Sequence, residues 1–233
     1  PDAGFGERYF GGSDDEYDAI NRRTSTNEAI DGDLVAYEEM LALADEGLAD
    51  DAGLAAMEDY LNLEDLIDYM LIHQYTVNRD GPEEYESNNM RGIRRREEGA
   101  QFHFFVWDME YSIWEADNDY NLDVDVAGSI SHVYTKLREN PDFRAMYSER
   151  AAMHLTGSGA LTADACAARW QARADEIERA VVAESARWGD TDRTTPYTRD
   201  VEWRSEQTRL MTTFFPDRTD VLIEQLQDAG LME

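Results

Sequence analysis

Lysine is almost missing from this chain: Lys136 stands alone, and every other strongly basic residue is arginine. Against 21 lysines and arginines there are 51 aspartates and glutamates, a formal net charge of −30. A field of that sign repels phosphate, which excludes general affinity for nucleic-acid backbones or anionic membranes. A bound nucleotide would need local cations or a metal to offset it. So acidic a surface suits concentrated salt, where self-repulsion is screened; an arginine coding bias over an acidic extracellular surface would give the same composition. Cysteine is as scarce as lysine. Cys166 is the only one, so no intrachain disulfide can form, and its Ala-rich helical setting predicts a small buried residue rather than a nucleophile. No run of residues approaches a membrane span and no signal peptide opens the chain, so membrane insertion is not expected. The chain opens on Pro1 instead of methionine, which suggests a piece of a longer protein. Gly-x-Gly-x-x-Gly, Walker and Gly-x-Ser-x-Gly patterns are missing as well.

What is present suffices for one sizeable core: 233 residues, 42% apolar and 11% aromatic. Residues 1–32 read as loops with short irregular elements, pinned by Phe5, Tyr9, Phe10 and Tyr17. Asp33 is a suitable cap for a helix over 33–46, and Asn62 for one reaching about 78. In the second, Leu63, Leu66, Ile67, Met70, Leu71 and Tyr75 follow a helical period, and Gly81-Pro82 forbids continuation. Residues 89–95 and 102–107 read as a β-hairpin around Glu97-Glu98-Gly99. Helices follow over 130–139, 141–155, 162–187, 200–214 and 217–229, the third with Trp170, Ile177 and Val181 on its apolar face. The expected fold is mainly α with a small β-hairpin, in one domain. An active-site half over 33–129 precedes a helical bundle over 130–233.

The chemistry concentrates around that hairpin. Asp80 follows a helix C-terminus, where the dipole disfavours negative charge, a setting that suits a base or a metal partner. Capping the turn before Gly81-Pro82 is its simpler role. Asn78, Asn88 and Asn89 are turn residues that could supply neutral oxygens to a metal or orient Asp80. The run Phe102 to Trp107 is apolar except for His103, so Asp108 would end a buried strand and need a cation or several donors. Glu110 would share its face if the strand persists, and two like charges favour a divalent ion beside them. The competing reading is a salt bridge from Asp108 to Arg91, Arg94, Arg95 or Arg96. His73, His103, His132 and His154 show no metal-ligand spacing, and Asp117, Asp119, Asp123 and Asp125 lack the glycine and terminal glutamate of a calcium loop.

Several blocks, in order, resemble the spore-coat-protein-H (CotH-like) family of atypical bacterial kinases. They are Arg8-Tyr9-Phe10-Gly11-Gly12, Leu66-Ile67-Asp68-Tyr69, Asn78-Arg79-Asp80, Asn88-Asn89 and Phe104-Phe105-Val106-Trp107-Asp108-Met109-Glu110. Downstream, the blocks 137–144 and 184–190 look like the branch found in large secreted proteins. The resemblance implies a protein-kinase-like C-lobe, ATP with Mg²⁺ or Mn²⁺, a protein substrate, and a secreted or cell-surface setting. It implies Asp80 as the catalytic aspartate and Asp108 as the metal-binding one. Asn89 and Glu110 would assist at the metal, and Asn78 and Asn88 in positioning phosphate. Two departures stand out. The β-rich nucleotide lobe with its phosphate-binding lysine appears before this chain in the family, so it is expected in the parent protein. Met90-Arg91-Gly92 replaces the aromatic residues usual after the asparagine pair. The alternative is a non-catalytic kinase-like interaction module of a large acidic extracellular protein.

Overall fold

The computed structural model describes residues 1–81 and 89–233, and its first departure from expectation lies in residues 1–32, which are regular. Asp2 caps α1 (Ala3–Phe10), its carboxylate accepting from the Phe5 amide at 2.8 Å. A 3₁₀ turn (Asp14–Glu16) leads into β1 (Tyr17–Arg23), which returns through Thr24-Ser25 as β2 (Thr26–Asp31). Both turn residues have positive φ, 48° and 63°. That is the geometry of a two-residue hairpin, which Asn-Gly ordinarily supplies. Thr-Ser carries no such signal, so sequence alone does not reveal this hairpin.

The expected second hairpin is present as β3 (Met90–Arg95) and β4 (His103–Phe105). It joins the first into one antiparallel sheet ordered β2-β1-β3-β4. On one face Ile20, Met90 and Phe104 enter the main core. Gly92 lies between them, where a Cβ would meet the Phe104 ring at 2.9 Å. On the other face α1 covers Tyr17, Ala19 and Ile93 with Ala3 and Phe5. Phe5 also meets Phe105 edge-on at 5.2 Å, whereas Tyr9 is exposed.

Helices α2 (Val35–Glu46), α3 (Asp51–Glu58) and α4 (Leu63–Thr76) follow the first hairpin. Leu34 rather than Asp33 is the N-cap of α2, although Asp33 accepts from the Val35 amide at 2.9 Å. The sequence gives no expectation of α3, whose cap is Asp50. In α4, nine of 14 residues are buried, so it is a central helix and not a surface one with a single apolar stripe. It packs on β4 and on α6 (Pro141–Leu155), which follows α5 (Ile130–Leu137). α7 (Ala163–Trp188) presents Cys166 and Ala174 inward while Ile177 is half exposed. The last two expected helices are one continuous run over 199–228: a π-turn (Arg199–Trp203), α8 (Arg204–Arg209), a second π-turn (Leu210–Phe214) and α9 (Phe215–Asp228). The second π-turn sits just before Pro216, where a wider turn accommodates the missing proline N–H. α9 returns to pack on α7 and α4.

Candidate active site

α4 ends in a Schellman turn: the Val77 amide bonds Gln74 O at 3.2 Å and the Asn78 amide bonds His73 O at 3.1 Å. Val77 therefore takes a left-handed conformation (φ 53°), costly for a β-branched residue. Of the seven non-glycine residues with positive φ among the described residues, five (Val77, Asn89, Asp108, Ile113 and Asn121) lie in or beside this region. Backbone strain of this kind persists only where the surroundings over-determine it, and it gathers at functional sites.

The surroundings are specific. Arg218 on α9 is fully buried, and its guanidinium donates to Gln74 O at 2.6 Å and Tyr75 O at 3.0 Å, at the negative end of the α4 dipole. The same group reaches Ala116 O at 2.6 Å and Asn118 O at 3.1 Å. Burial lowers its pKa to about 10, which leaves it charged at neutral pH. Arg209 on α8 donates to Ile113 O and Trp114 O, each at 2.7 Å. Two arginines of the C-terminal run thus hold both the end of α4 and the 113–118 loop.

Asn78 is completely buried at the centre of the turn. Its side-chain amide faces His73 Nδ1 at 3.0 Å and donates to Met109 Sδ at 3.2 Å. Its Oδ1 accepts from the Asp80 amide at 3.2 Å, and its carbonyl accepts from Asn121 Nδ2 at 2.7 Å. Burial drives the His73 pKa down to about 3, so the ring is neutral. With the Asn78 amide as donor, Nδ1 is the acceptor and the proton resides on Nε2. Gly81 packs against both side chains; a Cβ there would lie 2.9 Å from Asn78 Nδ2 and 3.0 Å from His73 Cε1.

Two carboxylate-bearing loops meet here. The Arg79 amide donates to Tyr111 O at 2.9 Å, and Asn89 Nδ2 donates to Asp80 Oδ2 at 2.9 Å. The Arg79 guanidinium lies over Trp114 at 5.6 Å and Tyr120 at 5.1 Å. The Glu110 carboxyl is raised above the ordinary range, first by a hydrogen bond with Asp108 and further by the charges of Asp108 and Asp80. Asp80, Asp108 and Glu110 therefore sense one another, although no continuing strand places them together. β4 stops at Phe105, Val106 and Trp107 are exposed, and Asp108 is an exposed residue with φ 56°. This corrects the expectation of a buried strand end: Asp108 keeps its hydration.

The expected arginine alternatives are engaged elsewhere. Arg95 pairs with Glu16 at 2.7 Å, Arg96 with Asp18 at 3.7 Å, and Arg94 donates to Ala100 O at 2.8 Å. Arg91 faces the Trp107 ring at 5.4 Å, and among the described residues no arginine lies within ion-pairing distance of Asp108. Asn88 lies outside the described residues. His103 pairs with Asp65, His132 with Asp45 and Asp125, and His154 with Asp68. Asp123 of the acidic loop pairs with Arg138 at 2.8 Å.

Among the described residues no three His, Cys, Asp or Glu side chains form a metal-holding group. The donors still fit a hard divalent cation, because magnesium is commonly held by one or two carboxylates, with waters and phosphate completing the shell. Asp108 raises the Glu110 carboxyl, and the like charges of Asp108 and Asp80 add to this, a repulsion that a divalent cation would offset.

His73, Gln74, Met109, Asn121 and Arg218 all brace the site, yet none carries a local sequence signal. Apart from His73, five residues from Asn78, their roles arise from contacts over 31 to 144 residues, such as Asn78–Met109 and Gln74–Arg218.

Fold and site define a mainly helical domain with one antiparallel sheet, carrying an amide-braced aspartate beside a carboxylate pair. The chain belongs to the CotH kinase protein family, whose profile matches residues 7–222. No curated protein matches it, and no solved structure does.

Proposed function

We propose that this chain is the catalytic helical lobe of an atypical protein kinase, transferring the γ-phosphoryl group of ATP to a serine or threonine of a secreted or surface protein. The observation that carries this reading is the joining of the Asn78–Asp80 turn to the Asp108–Glu110 loop through the Asn78–Met109 and Arg79–Tyr111 contacts. A base and an anionic metal-binding edge then lie side by side, the minimum that phosphoryl transfer asks of a protein.

In this reading Asp80 orients the acceptor hydroxyl and receives its proton as the acceptor oxygen bonds to the γ-phosphorus and the bond to the β,γ-bridging oxygen breaks, releasing ADP. Asn89 fixes the carboxylate by bonding one oxygen, and Asn78 holds the turn from below through the Asp80 amide. Asp108 and Glu110, with Asn89 nearby, would hold Mg²⁺ or Mn²⁺, which supplies charge neutralisation at the phosphate oxygens when bound.

Radiolabelled γ-phosphate transfer, compared between the parent protein and its Asp108→Ala variant, tests the reading. Loss of transfer in the variant is expected, and equal transfer in both would remove the proposal.

A second reading is a non-catalytic kinase-like interaction module. Calorimetry with Mg·ATP separates the two, since a pure scaffold binds no nucleotide in a metal-dependent way.

A further inference from the structure

Several arginines of this acidic chain have no carboxylate partner among the described residues: Arg94 and Arg218 bond carbonyl oxygens, and Arg79 and Arg91 lie over aromatic rings. Among the described residues nine arginines, at 95, 96, 138, 150, 173, 193, 199, 204 and 209, pair with Asp or Glu within 4.0 Å. Among the described residues neither Arg91 nor Arg23 does. These two belong together. In the β1–β3 register Arg91 stands opposite Asn21, and Arg23 lies two residues further along β1, a diagonal neighbour on the same face. Asn21 Oδ1, in that row, is buried and lacks a hydrogen-bond partner.

The pair borders the site. The Arg91 guanidinium lies over the Trp107 ring at 5.4 Å, and Trp107 immediately precedes Asp108. Burial and the neighbouring Arg23 charge both lower the Arg91 pKa, while Asp108 and Glu28 partly counter them. Two cations side by side, neither within ion-pairing distance of a carboxylate among the described residues, suit an anion. The aromatic face holds one of them at a set orientation, its fork of N–H groups available for paired oxygens. Lys136 cannot serve this purpose: it lies on α5 and pairs with Glu139 at 3.4 Å.

We propose that Arg91, seconded by Arg23, is the phosphate contact of this site, taking terminal phosphate oxygens of a nucleoside triphosphate beside Asp108. This rests on the kinase reading for the identity of the ligand but not for the existence of the anion site. It answers how a chain of charge −30 could hold a polyanion: two local guanidiniums, that of Arg91 set over the Trp107 ring, offset the repulsive field where it matters.

The test is calorimetric titration of the wild-type protein and its Arg91→Ala, Arg91→Lys and Arg23→Ala variants. Magnesium tripolyphosphate and Mg·ATP are the two probes, and the melting temperature of each variant is the control. Arg91→Ala should weaken both probes about tenfold or more, Arg91→Lys should recover part of the affinity, and Arg23→Ala should lose less. If Arg91→Ala fails to fold, Arg91→Gln, which keeps the stem over Trp107, takes its place. Wild-type affinity for both probes in the folded variant, or no tripolyphosphate binding by the wild type, would overturn the proposal. Arg91-dependent tripolyphosphate binding in a protein that transfers no phosphate would leave this site standing and sink the kinase reading alone.

Discussion

Asn89 reaches back across nine residues to donate its amide to Asp80 Oδ2 at 2.9 Å, and it does so from a left-handed backbone (φ 63°). Both features suit asparagine, which tolerates that conformation better than most side chains. Replacement by glycine keeps the backbone unstrained and deletes only the amide. We therefore expect Asn89→Gly to lower kcat by up to about 10²-fold while the melting temperature moves by no more than about 2 °C. Steady-state kinetics beside calorimetry checks this; an unchanged kcat would remove Asn89 from the site.

Arg218 stabilises by filling the end of α4 and the 116–118 loop with one guanidinium. Arg218→Met matches its length but leaves four carbonyls short of a donor, those of Gln74, Tyr75, Ala116 and Asn118. Part of the loss is offset, because a buried cation no longer needs desolvating. The net expectation is a destabilisation of about 3 kcal/mol, or a melting temperature lower by roughly 10 °C, measured by scanning calorimetry. Arg218→Lys should fall between the two, since an ammonium cannot span all four acceptors.

His73 makes stability depend on pH in a fixed direction. Its folded pKa is held near 3 by burial, whereas the unfolded imidazole titrates near 6.5. Between those values the unfolded chain binds the extra proton, so this contribution is complete above about 6.5 and is lost as pH falls toward 3. His73→Gln, which keeps an acceptor for Asn78, should flatten the fall in melting temperature between about pH 7 and about pH 4 relative to wild type. Parallel curves for the two proteins would exclude the effect.

The raised Glu110 carboxyl beside Asp108 predicts that divalent cation binding competes with protons. Mn²⁺ affinity should decline as the solution is acidified, more steeply in the wild type than in Glu110→Gln. Titrations in buffers of different ionisation enthalpy count the protons; identical counts in both proteins would deny the pair its role.

Local signals account for much of this protein. The Asn62 cap, the apolar period after it and the Gly81-Pro82 stop delimit α4 to within two residues, because caps and periodicity are written in adjacent side chains. Pro141 at the first turn marks α6 in the same way. Asp80, Asn89, Asp108 and Glu110 could be singled out because carboxylates and amides crowd a turn and a strand end. The Thr24-Ser25 hairpin escaped notice because its positive φ values come from the pairing of β1 and β2 instead of from glycine or asparagine.

What the chain alone determined is therefore its acidity, its main helices, the hairpin and the neighbourhood of its reactive groups. Tertiary structure decided that β1 joins that hairpin, that Asp108 stays in solvent, and that Arg91 faces Trp107. It also set Arg218 against Gln74, 144 residues away. The reason is one of range: caps and periods act over a few residues, whereas a buried cation or an arginine of the sheet takes its partner from whatever folding brings near.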